Sequence, residues 1–469
     1  MLTRLPTRGP LGRVALGLDR RVRCSQRVLW FATATPLFVL YLLTLRVHAQ
    51  DMSIDPVSVT SSAWQLAHHG TPRLPTGSGY YDAWMIRSGP GHVVSNREPG
   101  LVGLAAVFYW LMPWTTIYNV APASIAAALV TAAAMGTLAL VLRRLVEPRV
   151  AWFAALAAGT ATSTWAVSST ALWPHGPDQL YLAGAMLALA SRKHLGAGLG
   201  FAFAVLTRPP LALVAAVTGL WASFERRSMR PGLAIGVVTS CGLAAFLVYS
   251  HAFWGGGLQS QYVAAGGGDF QGKFLDIGPA AVGAFLVNVV GTLVSPGRGV
   301  LIGSPFLLVL IPGLRPAWRQ APPWVRSSAV AGLLYMLVQL KANRFSGGTY
   351  FWGYRYPIEA LTLLAPLLVL SWRAYASCTA RRRAVFATLL TAAITLQAVG
   401  AFCFGHPSHF SDWTPYDFAT ALRNSPVLAG VVCLCGYIVA TIAYRLVSRS
   451  AMAQRQVRPT EPAPASASR

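Results

Sequence analysis

Long apolar runs separated by short basic segments dominate the pattern of this chain. About 20 apolar residues cross the hydrocarbon of a bilayer, and inside it every backbone group must be satisfied within a helix. The pattern therefore predicts an all-α polytopic membrane protein. Basic residues gather in short cytoplasmic loops, so each cluster marks the inside. The markers are Arg4 to Arg27, Arg143 and Arg144 with Arg149, Arg192 and Lys193, Arg226 and Arg227 with Arg230, Arg315 to Arg326, Arg373 to Arg383, and the tail from Arg445. Between consecutive markers the chain leaves and returns, which makes the number of crossings in each interval even. This parity predicts about twelve spans, near 29–47, 119–142, 149–168, 178–191, 195–207, 210–223, 231–250, 299–313, 327–341, 357–371, 384–404 and 426–446, with both termini inside. It also predicts two outer-face elements that do not cross: the short aromatic-rich stretch 101–113, suited to lying along the interface, and 279–295.

The threading divides the chain into four parts. Residues 1–28 form an Arg-rich cytoplasmic N-terminus, and 29–371 a transmembrane module with large outer loops at 48–100 and 251–298. Residues 372–447 are C-terminal membrane helices, and 448–469 a disordered cytoplasmic tail. The short spans around "LTRPPLAL" read as a hairpin turning at Arg208, Pro209 and Pro210. The N-terminal segment also has the layout of a secretory signal, with Val47, His48 and Ala49 as a cleavage site. Its apolar stretch is longer than a usual signal core, so it reads as a retained anchor.

Composition points to the same class: 54% of residues are hydrophobic, 11% are charged and mean hydropathy is +0.50. The net charge of +24 comes from basic residues spread between apolar segments, which is a topology signal and not a nucleic-acid footprint. The six cysteines (Cys24, Cys241, Cys378, Cys403, Cys433, Cys435) have neither zinc-like nor disulfide-like spacing and read as small apolar residues. Charge changes the picture in one respect. Of only 14 acidic residues, ten fall outside: Asp51, Asp55, Asp82, Glu98, Asp178, Asp269, Asp276, Glu359, Asp412 and Asp417. Acidic residues barely influence insertion, so topology leaves the bias unexplained and outer-face chemistry becomes the question.

Three features are candidates for that chemistry. Asp51 and Asp55 stand four apart, so a helix starting near Met52 would put them on one face, where a partly desolvated carboxylate can take a proton from a hydroxyl. The plainer reading makes Asp55 an N-cap followed by Pro56 at the first helical position. Arg97, Arg208, Arg298, Arg344 and Arg355 lie at or near the outer boundary, several in Gly/Pro-rich surroundings, and guanidinium groups bind phosphate in bidentate fashion. Snorkelling at the interface explains any one of them, but five outside run against the positive-inside trend. His175 and Asp178 in "WPHGPD" sit in a loop stiffened by Pro174 and Pro177 and are candidates for an acceptor hydroxyl or a metal. The stretch "WGGGLQSQYVAAGGGDF" from Trp254 to Phe270 lacks a P-loop ending and reads as a mobile gate.

In this order, the features resemble the GT-C superfamily of integral-membrane glycosyltransferases, which includes protein O-mannosyltransferases, aminoarabinose transferases, oligosaccharyltransferases and actinobacterial arabinosyl- and mannosyltransferases. The resemblance covers residues 29 to 371. It lies in the spacing of Asp55, Trp64, Leu66, Ala67 and Gly70, the Arg97-Glu98-Pro99 turn before a horizontal aromatic helix, "WPHGPD", and "SGGTYFWGYRYP". The sequence departs from the pattern at Asp51-Met-Ser-Ile-Asp55, where many relatives show an Asp-Glu pair, and at Glu98, where some have Pro. The resemblance implies an inverting hexosyl- or pentosyltransferase that takes a sugar from a polyprenyl-phosphate donor to a lipid, glycan or protein hydroxyl at the outer face of the plasma membrane. It further implies Asp55 as base, with Asp51 as the competing choice, and Arg97, Arg208, Arg298 and Arg355 on the lipid phosphate. The sequence names no certain cofactor and leaves a divalent metal open.

Two other classes compete. Twelve spans with Pro and Gly interruptions also suit a transporter or lipid flippase, although no two-fold internal repeat is visible and polar residues cluster in outer loops. A structural scaffold would leave the outer Asp and Arg grouping unexplained.

Overall fold

A computed structural model describes residues 10–77, 85–256, 275–348, 350–403, 413, 423 and 425–456. The apolar runs form helices, and packing sorts them. Helix α1 covers Pro10–Leu42, α2 Ile54–His69, α3 Pro99–Leu111, α4 Ala121–Leu142 and α5 Pro148–Thr160. They are followed by α6 His175–Ala190, α7 His194–Thr207, α8 Ala212–Arg226, α9 Arg230–Trp254 and α10 Pro279–Val294. After short helical pieces between 300 and 320 come α11 Pro323–Ala342, α12 Pro357–Ser371, α13 Ala380–Phe402 and α14 Pro426–Gln456. Proline opens many of them, because the first helical position loses no hydrogen bond to its missing N–H.

Helix α4 is central. It packs against α1, α5 and α6, and 72% of its most apolar window is buried, against 22% for the peripheral α9. Its alanines and Gly136 let neighbours approach closely, as small residues do at membrane helix interfaces. Helices α6, α7, α8, α9 and α11 continue the layer, and α11 joins it to α12. Among the described residues, four stretches are long and apolar enough to cross a membrane: Ala121–Leu142, Arg230–Trp254, Pro357–Ala376 and Ala380–Phe402. Pro99–Leu111, His194–Thr207, Pro279–Val294 and Pro426–Ile442 are shorter apolar helices.

One expectation of the fold class is corrected. The chain is mostly helical but not all-α, because the segment after α2 carries a three-stranded antiparallel sheet of β1 Leu74–Pro75, β2 Met85–Arg87 and β3 His92–Ser95, with β3 in the centre. These strands are too short to show a period of two in sequence. Helices α2 and α3 pack side by side through Val59, Ala63, Leu101, Val102, Ala105 and Tyr109, leaving Trp110 and Leu111 exposed on the far face. Helix α14 runs on to Gln456, into the region read as a tail. The Gly-rich stretch 257–270 and the carboxylates of Asp82, Asp269, Asp412 and Asp417 lie outside the described residues.

Candidate functional site

The site begins at the start of α2. Ser53 is its N-cap and accepts from the Asp55 N–H at 3.5 Å, while Met52 and Ser53 are extended (φ −118°, ψ 155° and φ −61°, ψ 152°). Asp51 ends a separate turn, Ala49–Asp51, so the two aspartates do not share a helix face as their spacing suggested. The serine cap decides this: it starts the helix after Asp51 and leaves Asp55 and Pro56 inside the first turn. Asp55 is therefore not the cap, and its side chain is available for long-range contacts. At the other end Gly70 caps α2 at φ 71°, and Trp64 donates Nε1–H to the Thr115 carbonyl at 2.9 Å.

Two arginines meet Asp55 from distant parts of the chain. Arg97 Nη2 lies 2.5 Å from Asp55 Oδ1, and Arg355 Nη1 lies 3.2 Å from Asp55 Oδ2. Arg97 is placed by serines. The Ser95 N–H donates to Ser62 Oγ (2.9 Å), its hydroxyl donates to Ser58 Oγ (3.1 Å), and the Arg97 N–H donates to Ser95 Oγ (3.1 Å). Ser58 and Ser62 stand one helical turn apart on α2, so they pin the end of β3 along the same helix that carries Asp55. Trp254 ties α9 to the same point by donating Nε1–H to the Ser95 carbonyl at 3.0 Å.

Arg355 is held by a turn. Its Nη1 also donates to the Gly347 carbonyl at 2.9 Å, and its guanidinium lies 4.4 Å over the Trp173 ring. Gly353 sits at φ 75°, where a Cβ would stand 2.7 Å from Ser163 Oγ. Arg298 lies beneath that turn: Nη1 donates to the carbonyls of Phe351 (2.8 Å) and Gly353 (2.9 Å), with the guanidinium 4.1 Å over the Phe351 ring. Arg298 thus engages the backbone that presents Arg355. Arg46 makes a parallel tie, donating Nη1–H to the carbonyls of Asp51 (3.1 Å) and Tyr350 (2.9 Å).

A second, fully buried cluster lies beside the first. His175 Nδ1 is 2.6 Å from Glu359 Oε1, and Arg208 Nη1 is 3.3 Å from the same oxygen. Arg208 Nε is 3.5 Å from Asp178 Oδ2, its Nη1 donates to the Tyr335 hydroxyl at 3.0 Å, and the Thr207 hydroxyl donates to Asp178 Oδ1. His175 and Asp178 were expected in a loop; they occupy the first turn of α6 instead, because Pro174 and Pro177 suit a helix start and not its interior. Glu359 and Tyr335 complete a network that spacing alone did not point to, since each lies in an apolar helical stretch far away in sequence.

The clusters are joined by close backbone approach. A Cβ on Gly100 would stand 2.8 Å from Leu206 C and O and Thr207 Cγ2, so glycine lets the Arg97-Glu98-Pro99 turn rest on the Leu206–Pro210 hairpin. Glu98 is buried between them. Burial pushes the Glu98 carboxyl up, against the pull of Arg97 and, more weakly, Arg208. Burial acts in the same direction on Asp55, but there Arg97 and Arg355 outweigh it and hold the carboxyl below its ordinary range.

Among the described residues, no group of three or more His, Cys, Asp or Glu side chains is gathered in a way that would hold a metal ion. Among the described residues the site carboxylates are instead balanced by guanidinium groups, Asp55 by Arg97 and Arg355, and Asp178 and Glu359 by Arg208.

No known family profile matches the chain, and no curated protein does. Solved structures do. The Archaeoglobus fulgidus oligosaccharyltransferase crystallised with zinc and sulfate matches with a TM-score of 0.50 at 14% identity, over 82% of this chain and 54% of that one. The fold of this chain is similar to that part of the solved enzyme. The apo form of the same enzyme aligns at a TM-score of 0.46 and 14% identity, over 90% of this chain and 55% of that one. Its complex with an inhibitory peptide and a dolichol-phosphate aligns at 0.40 and 11%, over 89% and 56%. The chain thus spans about half the length of the solved enzyme it matches.

Next to the buried cluster lies an apolar cavity of about 90 Å³, lined by Leu138, Val150, Phe306, Ile358, Leu368 and Phe386 among others. Its polar end is Gln179, which donates to Thr164 Oγ1 (2.9 Å) and Thr362 Oγ1 (3.1 Å).

Proposed function

We propose that the protein is a GT-C-type membrane glycosyltransferase that moves a sugar from a polyprenyl-phosphate donor to a hydroxyl acceptor, with inversion, on the outer face of the membrane. The observation that carries this reading is the Asp55 carboxylate set between Arg97 and Arg355. The acceptor O–H gives its proton to Asp55, the acceptor oxygen bonds to the anomeric carbon, and the bond from that carbon to the phosphate oxygen breaks, its electron pair leaving with the phosphate. Charge grows on the leaving phosphate, and guanidinium groups already in place stabilise it best in a water-poor site. Holding both reactants at one interface removes much of the entropic barrier.

Arg97 and Arg355 face the phosphate in this reading, Arg298 positions the Arg355 turn, and Arg208 organises Asp178, Glu359 and His175 behind them as an acceptor-side wall. Asp51, beside Arg46, is secondary to Asp55. The sugar is a hexose or pentose, and the acceptor a lipid, glycan or protein. The chain crosses the plasma membrane about twelve times with both ends inside, and α3 lies along the outer interface. The likeness to an oligosaccharyltransferase supports the reaction class, and the apolar cavity is suited to a hydrocarbon chain.

Purified protein in lipid vesicles, given polyprenyl-phosphate sugars, should release polyprenyl phosphate as product forms. Movement of intact donor across the vesicle with no bond cleavage would make the protein a carrier instead.

A further inference from the structure

Both carboxylate oxygens of Asp55 are already occupied. Arg97 Nη2 takes Oδ1 at 2.5 Å and Arg355 Nη1 takes Oδ2 at 3.2 Å. Two cations at this range favour the charged carboxylate and compete with a hydroxyl for its lone pairs, so Asp55 as seen here is a weak base. The transferase reading assigns the same two guanidinium groups to the donor phosphate, and this inference rests on that reading. We propose that Asp55 and the donor phosphate compete for Arg97 and Arg355, so that donor binding draws guanidinium charge off the carboxylate and makes it a competent base; the donor therefore binds before the acceptor.

The charges support such an exchange. A sugar phosphodiester carries one negative charge, whereas the lipid phosphate left after transfer carries about −1.5 to −2 at neutral pH. As the acceptor proton neutralises Asp55, the phosphate gains the charge that Asp55 loses, and the arginines follow it. Each arginine leaves one anion for another without being stranded. Arg355 keeps its bond to the Gly347 carbonyl and its stacking on Trp173 while the carboxylate changes partner, so the site stays assembled.

The test is equilibrium binding of a short-chain isoprenyl monophosphate to the full-length protein in detergent, comparing wild type with Asp55→Asn. Removing the competitor should tighten binding by at least about tenfold, the size of a charge-assisted hydrogen bond. Asp55→Ser repeats the comparison in case the Asn variant folds poorly. Equal or weaker binding by both folded variants overturns the exchange while leaving the phosphate site in place. Absence of binding to wild type and variants alike overturns the phosphate site itself, and the exchange with it.

Discussion

Asp55 and Arg355 are 300 residues apart in sequence and 3.2 Å apart in space, Arg355 Nη1 to Asp55 Oδ2. The contact joins the first turn of α2 to the turn that precedes α12, two regions whose only shared sequence feature is a polar residue in Gly- or Pro-bearing surroundings. Arg355→Lys keeps the charge but not the planar group that lies over Trp173 while donating to both Asp55 and Gly347. Turnover of a polyprenyl-phosphate sugar should fall by about 100-fold in this variant, the usual size of losing one preorganised donor. Near-wild-type turnover would remove Arg355 from the site.

Arg298 should act through the backbone. Arg298→Met preserves length and contact with Phe351 but leaves the Phe351 and Gly353 carbonyls without their donor. The expected cost is about 1–3 kcal/mol of stability, read as a lower Tm, together with a fall in kcat. If Arg298 instead touched the phosphate directly, the variant would lose affinity for the isoprenyl phosphate with Tm unchanged.

A matched glycine pair tests the joint between the clusters. Gly100→Ala forces a Cβ to 2.8 Å from the backbone of Leu206, whereas nothing lies within 4 Å of a Cβ at Gly103, on the same helix. Overpacking of this kind costs about 1–3 kcal/mol. Thermal unfolding should therefore separate Gly100→Ala from a near-neutral Gly103→Ala, and equal Tm values would contradict the close approach.

The two carboxylates beside Arg97 should respond to pH in opposite ways. Asp55 is held below its ordinary range by Arg97 and Arg355, so its contribution is present above the unfolded pKa and is lost as pH falls through the folded one. Glu98, facing Arg97, Arg208 and Asp55, is pushed up by burial, so its contribution is complete below the unfolded pKa and is lost as pH rises through the folded one. Near neutral pH, Glu98→Gln should raise Tm and Asp55→Asn should lower it, the latter by the equivalent of about 3–5 kcal/mol for a broken buried pair. The same sign for both would refute this electrostatic description.

Much of the site could be read from the sequence because its local signals are chemical. Asp55, Trp64 and Gly70 mark the start, packing face and C-cap of one helix, and Arg97 and Arg355 stand out as cations in Gly/Pro-bearing turns. What could not be read is pairing across distance. Nothing near Glu359 or Tyr335 announces His175 or Arg208, since each sits in an apolar helix whose pattern records only burial. The Ser53 cap breaks the Asp51 and Asp55 phase, and no pattern in the sequence marks Ser58, Ser62 and Ser95 as the residues that place Arg97.

The most direct measurement is single-turnover release of lipid phosphate from a polyprenyl-phosphate sugar by lipid-embedded wild type, Asp51→Asn and Asp55→Asn proteins. Asp51→Asn should stay within about threefold of wild type, while Asp55→Asn should lose at least about 100-fold, the scale of removing a positioned base. Full activity in Asp55→Asn, or loss in Asp51→Asn alone, would contradict the assignment of the Asp55, Arg97 and Arg355 cluster as the reaction centre.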